Sequence, residues 1–129
     1  MQQRPVIILG AGGHARVTAD IVRQAGGQVL AFSEISPTRA RLDDLPVIEE
    51  EKALGYRDSA QYLIAIGDNG LRHTLAERLD LCWYTAVHPS AQVSAWARIG
   101  EGTVVMPGAV VNAGASVGRH CILNTHCVV

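Results

Sequence analysis

The sequence predicts two architectures in one chain: a small parallel α/β domain over residues 1–86 and a hexapeptide β-solenoid over residues 87–129. Two observations carry this. In the first 86 residues, short wholly apolar runs alternate with helical segments, the rhythm of a parallel sheet with flanking helices. Beyond them, Val87, Val93, Ile99, Val105, Val111, Val117, Leu123 and Val129 recur every six residues, a period of neither an α-helix nor an ordinary strand.

The elements follow in order. PVIILG (5–10) reads as a buried parallel strand because both of its faces are apolar. The glycine turn GAGGH (10–14) leads into a helix, ARVTADIVRQAG (15–26), with Val17, Ile21 and Val22 as its apolar stripe and Gly26-Gly27 as its stop. QVLAFSE (28–34) is a second strand. LDDLPVIEEEKALG (42–55) reads as a turn, a short strand and a helical turn. QYLIAIGD (61–68) is another buried strand, LRHTLAERLD (71–80) a second amphipathic helix, and CWYTAVH (82–88) a final strand.

In the solenoid the residue four places after each aliphatic is small: Ala91, Ala97, Thr103, Ala109, Ala115, Cys121 and Cys127. One large and one small residue of each six then face a triangular core. Gly102, Gly108 and Gly114 fall between them, where a turn with positive φ is expected.

Composition narrows the function classes. The net charge is −1, and the eleven basic residues are spread without a block, which gives no footprint for nucleic acid and no basic face for a membrane. Three cysteines (Cys82, Cys121, Cys127) fit neither a disulfide framework nor metal-ligand spacing, so no metal site is expected. No run approaches transmembrane length and MQQRPVIILGAGG is no signal peptide, so the reducing cytoplasm is the expected location.

The loop Gly10-Ala11-Gly12-Gly13-His14-Ala15 fits a loose G-x-G-x-x-A pattern between a strand and a helix, and Glu34 ends the next strand. Such glycines allow close backbone approach, the helix N-terminus suits phosphate, and an acid suits ribose hydroxyls. The alternatives are a bound substrate, a dinucleotide, or a plain tight turn capped by His14. Gly67-Asp68-Asn69 ends a later strand on the same side. Asn69 and Arg72 could hold a diphosphate, and Arg72 reads equally as a solvated helix residue. His73 reads as a surface residue and His88 as a packing or capping group. His120 and His126 share the fourth hexad position and are expected to point outward at a corner; Cys121 and Cys127 are expected to pack inward.

GAGGHARV after a strand, GDN after a later strand, then HPSAQVSAWARIGEGTVVMPGAVVNAGASVG and ILNT resemble, over essentially the whole chain, one family. It is the sugar acyltransferases of the sialic acid O-acetyltransferase and pilin-glycosylation acetyltransferase type. The resemblance implies a Rossmann-like domain that binds a sugar or nucleotide-sugar. It also implies a left-handed β-helix, an exception to the right-handed crossover rule, that trimerises and holds acetyl-CoA between subunits. It implies substrate contacts from Gly10, Gly12, Gly13, His14, Ser33, Glu34, Gly67, Asp68, Asn69, Arg72, Asn124 and Thr125. Ser33-Glu34 stands where the family usually has a pair of acidic or polar residues that meet the base or ribose, and the serine departs from that pattern. The general-base histidine of the family would fall two residues beyond Val129, so the β-helix reads as incomplete and no catalytic residue is expected inside the chain. The expected activity is acetyl transfer from acetyl-CoA to an amino or hydroxyl group of a (nucleotide-)sugar for a surface glycan or glycoprotein. The alternatives are an inactive sugar-nucleotide-binding fragment and an NAD-binding protein.

Overall fold

The computed structural model describes residues 4–129. Its first half is a five-stranded sheet in the order β3-β4-β2-β1-β5. Strands β1 (Val6–Leu9), β2 (Val29–Glu34), β4 (Leu45–Glu49) and β5 (Gln61–Ile64) run parallel, and only the two-residue β3 (Arg41–Leu42) is antiparallel. Both faces are covered, which is why the strands read as continuous apolar runs. Val6 and Ile8 face a core shared with helix α1 (Gly13–Gln24), while Ile7 and Leu9 face one shared with α2 (Glu50–Leu54) and the approach of α3 (Asn69–Arg78).

Three sequence expectations are corrected here. The buried stripe of α1 is Ala15, Thr18, Ala19, Ile21 and Val22, whereas Val17 is 47% exposed. Small residues let the helix lie close to the sheet, so its tightest contact carries no large aliphatic. Helix α3 starts at Asn69, and none of its residues is fully buried; Leu71 is exposed. CWYTAVH is not a full sheet strand either. Trp83 makes a single parallel bridge to Tyr62, and the chain then leaves the sheet.

Ala86–Val87 (β6) already belongs to the solenoid, where it pairs in parallel with Val104–Val105 (β9), which pairs with Ile122–Leu123 (β12). Gln92–Val93 (β7) pairs with Val110–Val111 (β10), and Arg98–Ile99 (β8) with Ser116–Val117 (β11). Each pairing spans eighteen residues, one coil of three hexads, and gives the three faces of the prism. Val105, Ala109, Val111 and Thr103 are buried in the middle of the stack, but Val93 on the first coil is 36% exposed. Thr103 occupies a small inward position because its hydroxyl is satisfied: Oγ1 donates to the Gly118 carbonyl at 2.8 Å and accepts from Cys121 N at 3.1 Å.

From the hexad of Ile99 onward the fourth position is left-handed, with φ of 79° at Gly102, 72° at Gly108 and 85° at Gly114. His120 and His126 hold the same conformation with φ of 55° and 60°. Their rings lie over the glycines one coil earlier, so a Cβ on Gly102 would stand 2.3 Å from His120 Nδ1. His120 therefore does not point out into solvent; its ring folds back along the stack and meets Trp83 edge-on, with ring centroids 4.6 Å apart.

Candidate functional site

At the C-terminal ends of β1, β2 and β5 lies a cavity of about 670 Å³. This is the place where open parallel sheets bind ligands. Its floor is the glycine loop. Gly10 has φ of 132°, and a Cβ there would stand 2.6 Å from the Ala65 carbonyl oxygen, so only glycine fits. Gly12 and Gly13 differ, since a Cβ on either would meet nothing within 4 Å. The protein's own packing does not demand glycine there, and the open space faces the cavity.

Helix α1 begins at this loop with no side-chain cap and no acidic residue in its first turn. Its first N–H groups are left with the partial positive charge of a helix start. Among the described residues two polar groups beside it have no partner: Ser33 Oγ and His14 Nε2 are both buried and unbonded. Ser33 is only 3% exposed and is fixed by its carbonyl, which accepts from Gly10 N at 2.8 Å. A buried hydroxyl without a partner costs stability, so its persistence beside a cavity points to a ligand. Burial, reinforced by the charge of Arg72, pushes the His14 pKa below its ordinary value, so the imidazole is neutral near pH 7.

The structure brings seven of the twelve candidate residues together around this cavity: Gly10, Gly12, Gly13, His14, Ser33, Glu34 and Gly67. It places the other five elsewhere. Asp68 caps α3, its carboxylate accepting from Leu71 N at 2.9 Å. Asn69 Oδ1 accepts from Arg72 at 2.6 Å, and Arg72 is turned away toward the solenoid. Asn124 and Thr125 are exposed on the third coil, far along the chain's other half, with Asn124 Oδ1 accepting from Thr125 N.

Sequence reasoning missed the opposite wall. Ile35, Ile66, Leu71 and Leu75 form an apolar surface, and beside them in the lining Arg78 makes a two-point bond to Glu50 at 2.6 and 3.2 Å. The exposed Leu71 on a polar helix was the one available signal; the Glu50–Arg78 pair joins residues 28 apart and left none. Of the remaining histidines, His88 bonds Ser90 Oγ and Gln24 Oε1, each at 2.8 Å, tying the solenoid entry to the end of α1. His73 is exposed and pairs with Glu77. Among the described residues no cluster of three or more metal-ligating side chains occurs, and no helix is long and apolar enough to cross a membrane.

Residues 5–79 match the family described as PglD N-terminal domain, and residues 85–129 match bacterial transferase hexapeptide (six repeats). The chain is 39% identical over 110 residues to UDP-N-acetylbacillosamine N-acetyltransferase of Bacillus subtilis (strain 168), covering 78% of this chain and 50% of that protein. A mutant of perosamine N-acetyltransferase from Caulobacter crescentus, solved with CoA and GDP-perosamine, superposes with a TM-score of 0.88 at 38% identity. That match covers 97% of this chain and 62% of the other. The acetyltransferase domain of PglB from Neisseria gonorrhoeae FA1090, solved with acetyl coenzyme A, gives a TM-score of 0.89 at 31% identity, over 99% of this chain and 65% of that one. The chain thus spans about half the length of its curated relative. Its fold is a Rossmann-like domain followed by coils of a left-handed parallel β-helix. By its match over residues 5–79, the chain belongs to the PglD N-terminal domain family, here joined to bacterial transferase hexapeptide repeats.

Proposed function

We propose that the chain binds a nucleotide-activated amino sugar and forms the substrate-holding part of an acetyl-CoA-dependent N-acetyltransferase of glycan biosynthesis. The observation that carries this is the unpaired Ser33 hydroxyl, buried in the cavity wall beside the uncapped start of α1. In this reading the first-turn N–H groups of α1 hold the diphosphate, and the open space at Gly12 and Gly13 lets its oxygens approach. Ser33 and Glu34 accept or exchange hydrogen bonds with ribose hydroxyls, and the wall of Ile35, Ile66 and Leu71 takes the flat face of the base. Neutral His14 offers Nε2 to the phosphate or sugar without adding charge.

Acetyl-CoA is the proposed co-substrate and supplies an activated thioester carbonyl. The substrate amine attacks that carbonyl, the amine proton passes to a base, and the CoA thiolate leaves. None of the five histidines of this chain is assigned as the base, and no side chain on its coils is assigned to CoA. A homotrimer through the β-helix is proposed from the hexapeptide match, with Asn124 and Thr125 presented to the acceptor sugar across a subunit boundary. The proposed compartment is the cytoplasm, in keeping with three free cysteines.

A second reading, binding without turnover, is favoured by the completeness of the cavity within the α/β domain. Calorimetry separates the two. UDP- or GDP-linked amino sugar should bind the chain, and NADH should not. Acetyl-CoA binding and release of free thiol support the transferase; nucleotide-sugar binding alone supports the binding module. Failure of both nucleotide-sugars to bind overturns both readings.

A further inference from the structure

Among the described residues, Arg72 has no carboxylate within ion-pairing distance. Its guanidinium is divided over four oxygen acceptors instead. Nε donates to the carbonyl of His120 at 2.7 Å, Nη1 to the carbonyls of Ile66 and Gly67 at 3.1 and 3.2 Å, and Nη2 to Asn69 Oδ1 at 2.6 Å. A guanidinium has five N–H groups in a rigid plane, so little capacity is left for a diphosphate.

The four acceptors lie in two places. Ile66 and Gly67 lie in the β5–α3 loop and line the cavity, and Asn69 opens α3. His120 stands on the second coil, 48 residues further along. It is itself held fast: its N–H donates to the Glu101 carbonyl at 3.0 Å, its ring lies on Gly102, and the same ring meets Trp83. Trp83 in turn bridges to Tyr62 on β5.

The junction between the two halves is therefore asymmetric. On the α1 side it is a continuous apolar core, with Ala86, Val104 and Met106 joining the cluster of Val22 and Tyr84. On the α3 side the halves are separated by a cleft of about 670 Å³ bordered by Trp83, Arg119 and Cys121, and Arg72 reaches across it. On that edge the halves meet through the Arg72 fork and the edge-on contact of Trp83 with His120, and a joint packed on one edge and so sparsely bridged on the other opens as a hinge when the fork is cut.

We infer that Arg72 is a positioning residue that locks the β5–α3 wall of the cavity to the second coil of the β-helix. Loop and coil then move as one body, and whatever the cavity holds is kept at a fixed orientation to the coils. The lock stands on the geometry; its role in presenting a substrate rests on the nucleotide-sugar reading above.

Amide hydrogen exchange on the whole chain tests the lock without any ligand. Arg72→Gln should raise exchange by about tenfold or more both in residues 66–72 and in residues 119–123, while Val6–Leu9 in the sheet stays unchanged. Arg72→Lys should fail to rescue, because a point donor does not span four acceptors. His120→Gly keeps the carbonyl and the left-handed turn while removing the ring, so residues 66–72 should stay within about threefold of wild type. A rise in only one of the two segments, a rise shared equally by the sheet, or full rescue by lysine overturns the lock. Calorimetry with UDP and GDP then tests the positioning role: Arg72→Gln should weaken whichever nucleotide the wild type binds by about three- to tenfold. Unchanged affinity overturns that role. If the wild type binds neither nucleotide, the substrate reading fails, and the exchange result alone still decides the lock.

Discussion

In the α/β domain Ile7 and Ile8 are adjacent in sequence yet face different cores, so each strand ties two layers together at once. In the solenoid Val87, Val105 and Leu123 lie in register on one face, and each hexad meets mainly its neighbours one coil away. The first arrangement is cooperative across the domain; the second is quasi-one-dimensional, with exposed ends such as Val93. A binding cavity needs several strand ends held at once, and it is found in the cooperative half.

The largest expected effect is in that half. Ile8→Ala, at a fully buried position, should cost about 3 kcal/mol and lower the denaturation midpoint of the whole α/β domain in a single transition. A non-coincident loss of helix and sheet signals would show that the domain is not cooperative. Gly102→Ala attacks the solenoid instead. It forces a Cβ into a residue at φ 79° and against the His120 ring, and should cost about 2 kcal/mol. Exchange should rise in the coils first and leave β1 and β5 protected. Equal loss in both halves would erase the distinction between them.

Protonation should strain both regions in a smaller way. His14 and His120 have pKa values held below the ordinary histidine value, His14 by burial then Arg72, His120 by burial then Arg119. A histidine depressed in the folded state binds its proton better when unfolded. The stability from keeping both neutral is present above about pH 6.5 and is lost as pH falls below it. The melting temperature should fall between about pH 7 and pH 5.5, and fall less in the His14→Asn, His120→Asn double variant. An identical fall in both proteins would place the acid sensitivity elsewhere.

Much of this was legible in the sequence for one physical reason: short periods are local. The six-residue period showed itself because every coil repeats the same inward pair, and the sheet because its strands are apolar on both faces. The glycine loop was legible because Gly10 must adopt a φ that other residues avoid. What escaped notice depended on distant partners. Arg72 reads equally as a diphosphate ligand or a solvated helix residue, because nothing nearby reveals that the His120 carbonyl is its acceptor. Asp68 read as a site residue although it caps the very helix it begins. Val17 reads as core because it is a large aliphatic at helical spacing, whereas the buried face around it is Ala15, Thr18 and Ala19, whose small size lets α1 approach the sheet.

The most direct measurement is a paired one on Ser33→Ala, thermal stability without ligand and calorimetric affinity for UDP and GDP. Removing an unpaired buried hydroxyl should stabilise the free protein by about 1 kcal/mol. Removing a ligand contact should weaken nucleotide binding by about tenfold, so the two changes have opposite signs. A variant that is less stable than wild type and binds nucleotide equally well would make Ser33 an ordinary structural residue and contradict the cavity as a nucleotide-sugar site.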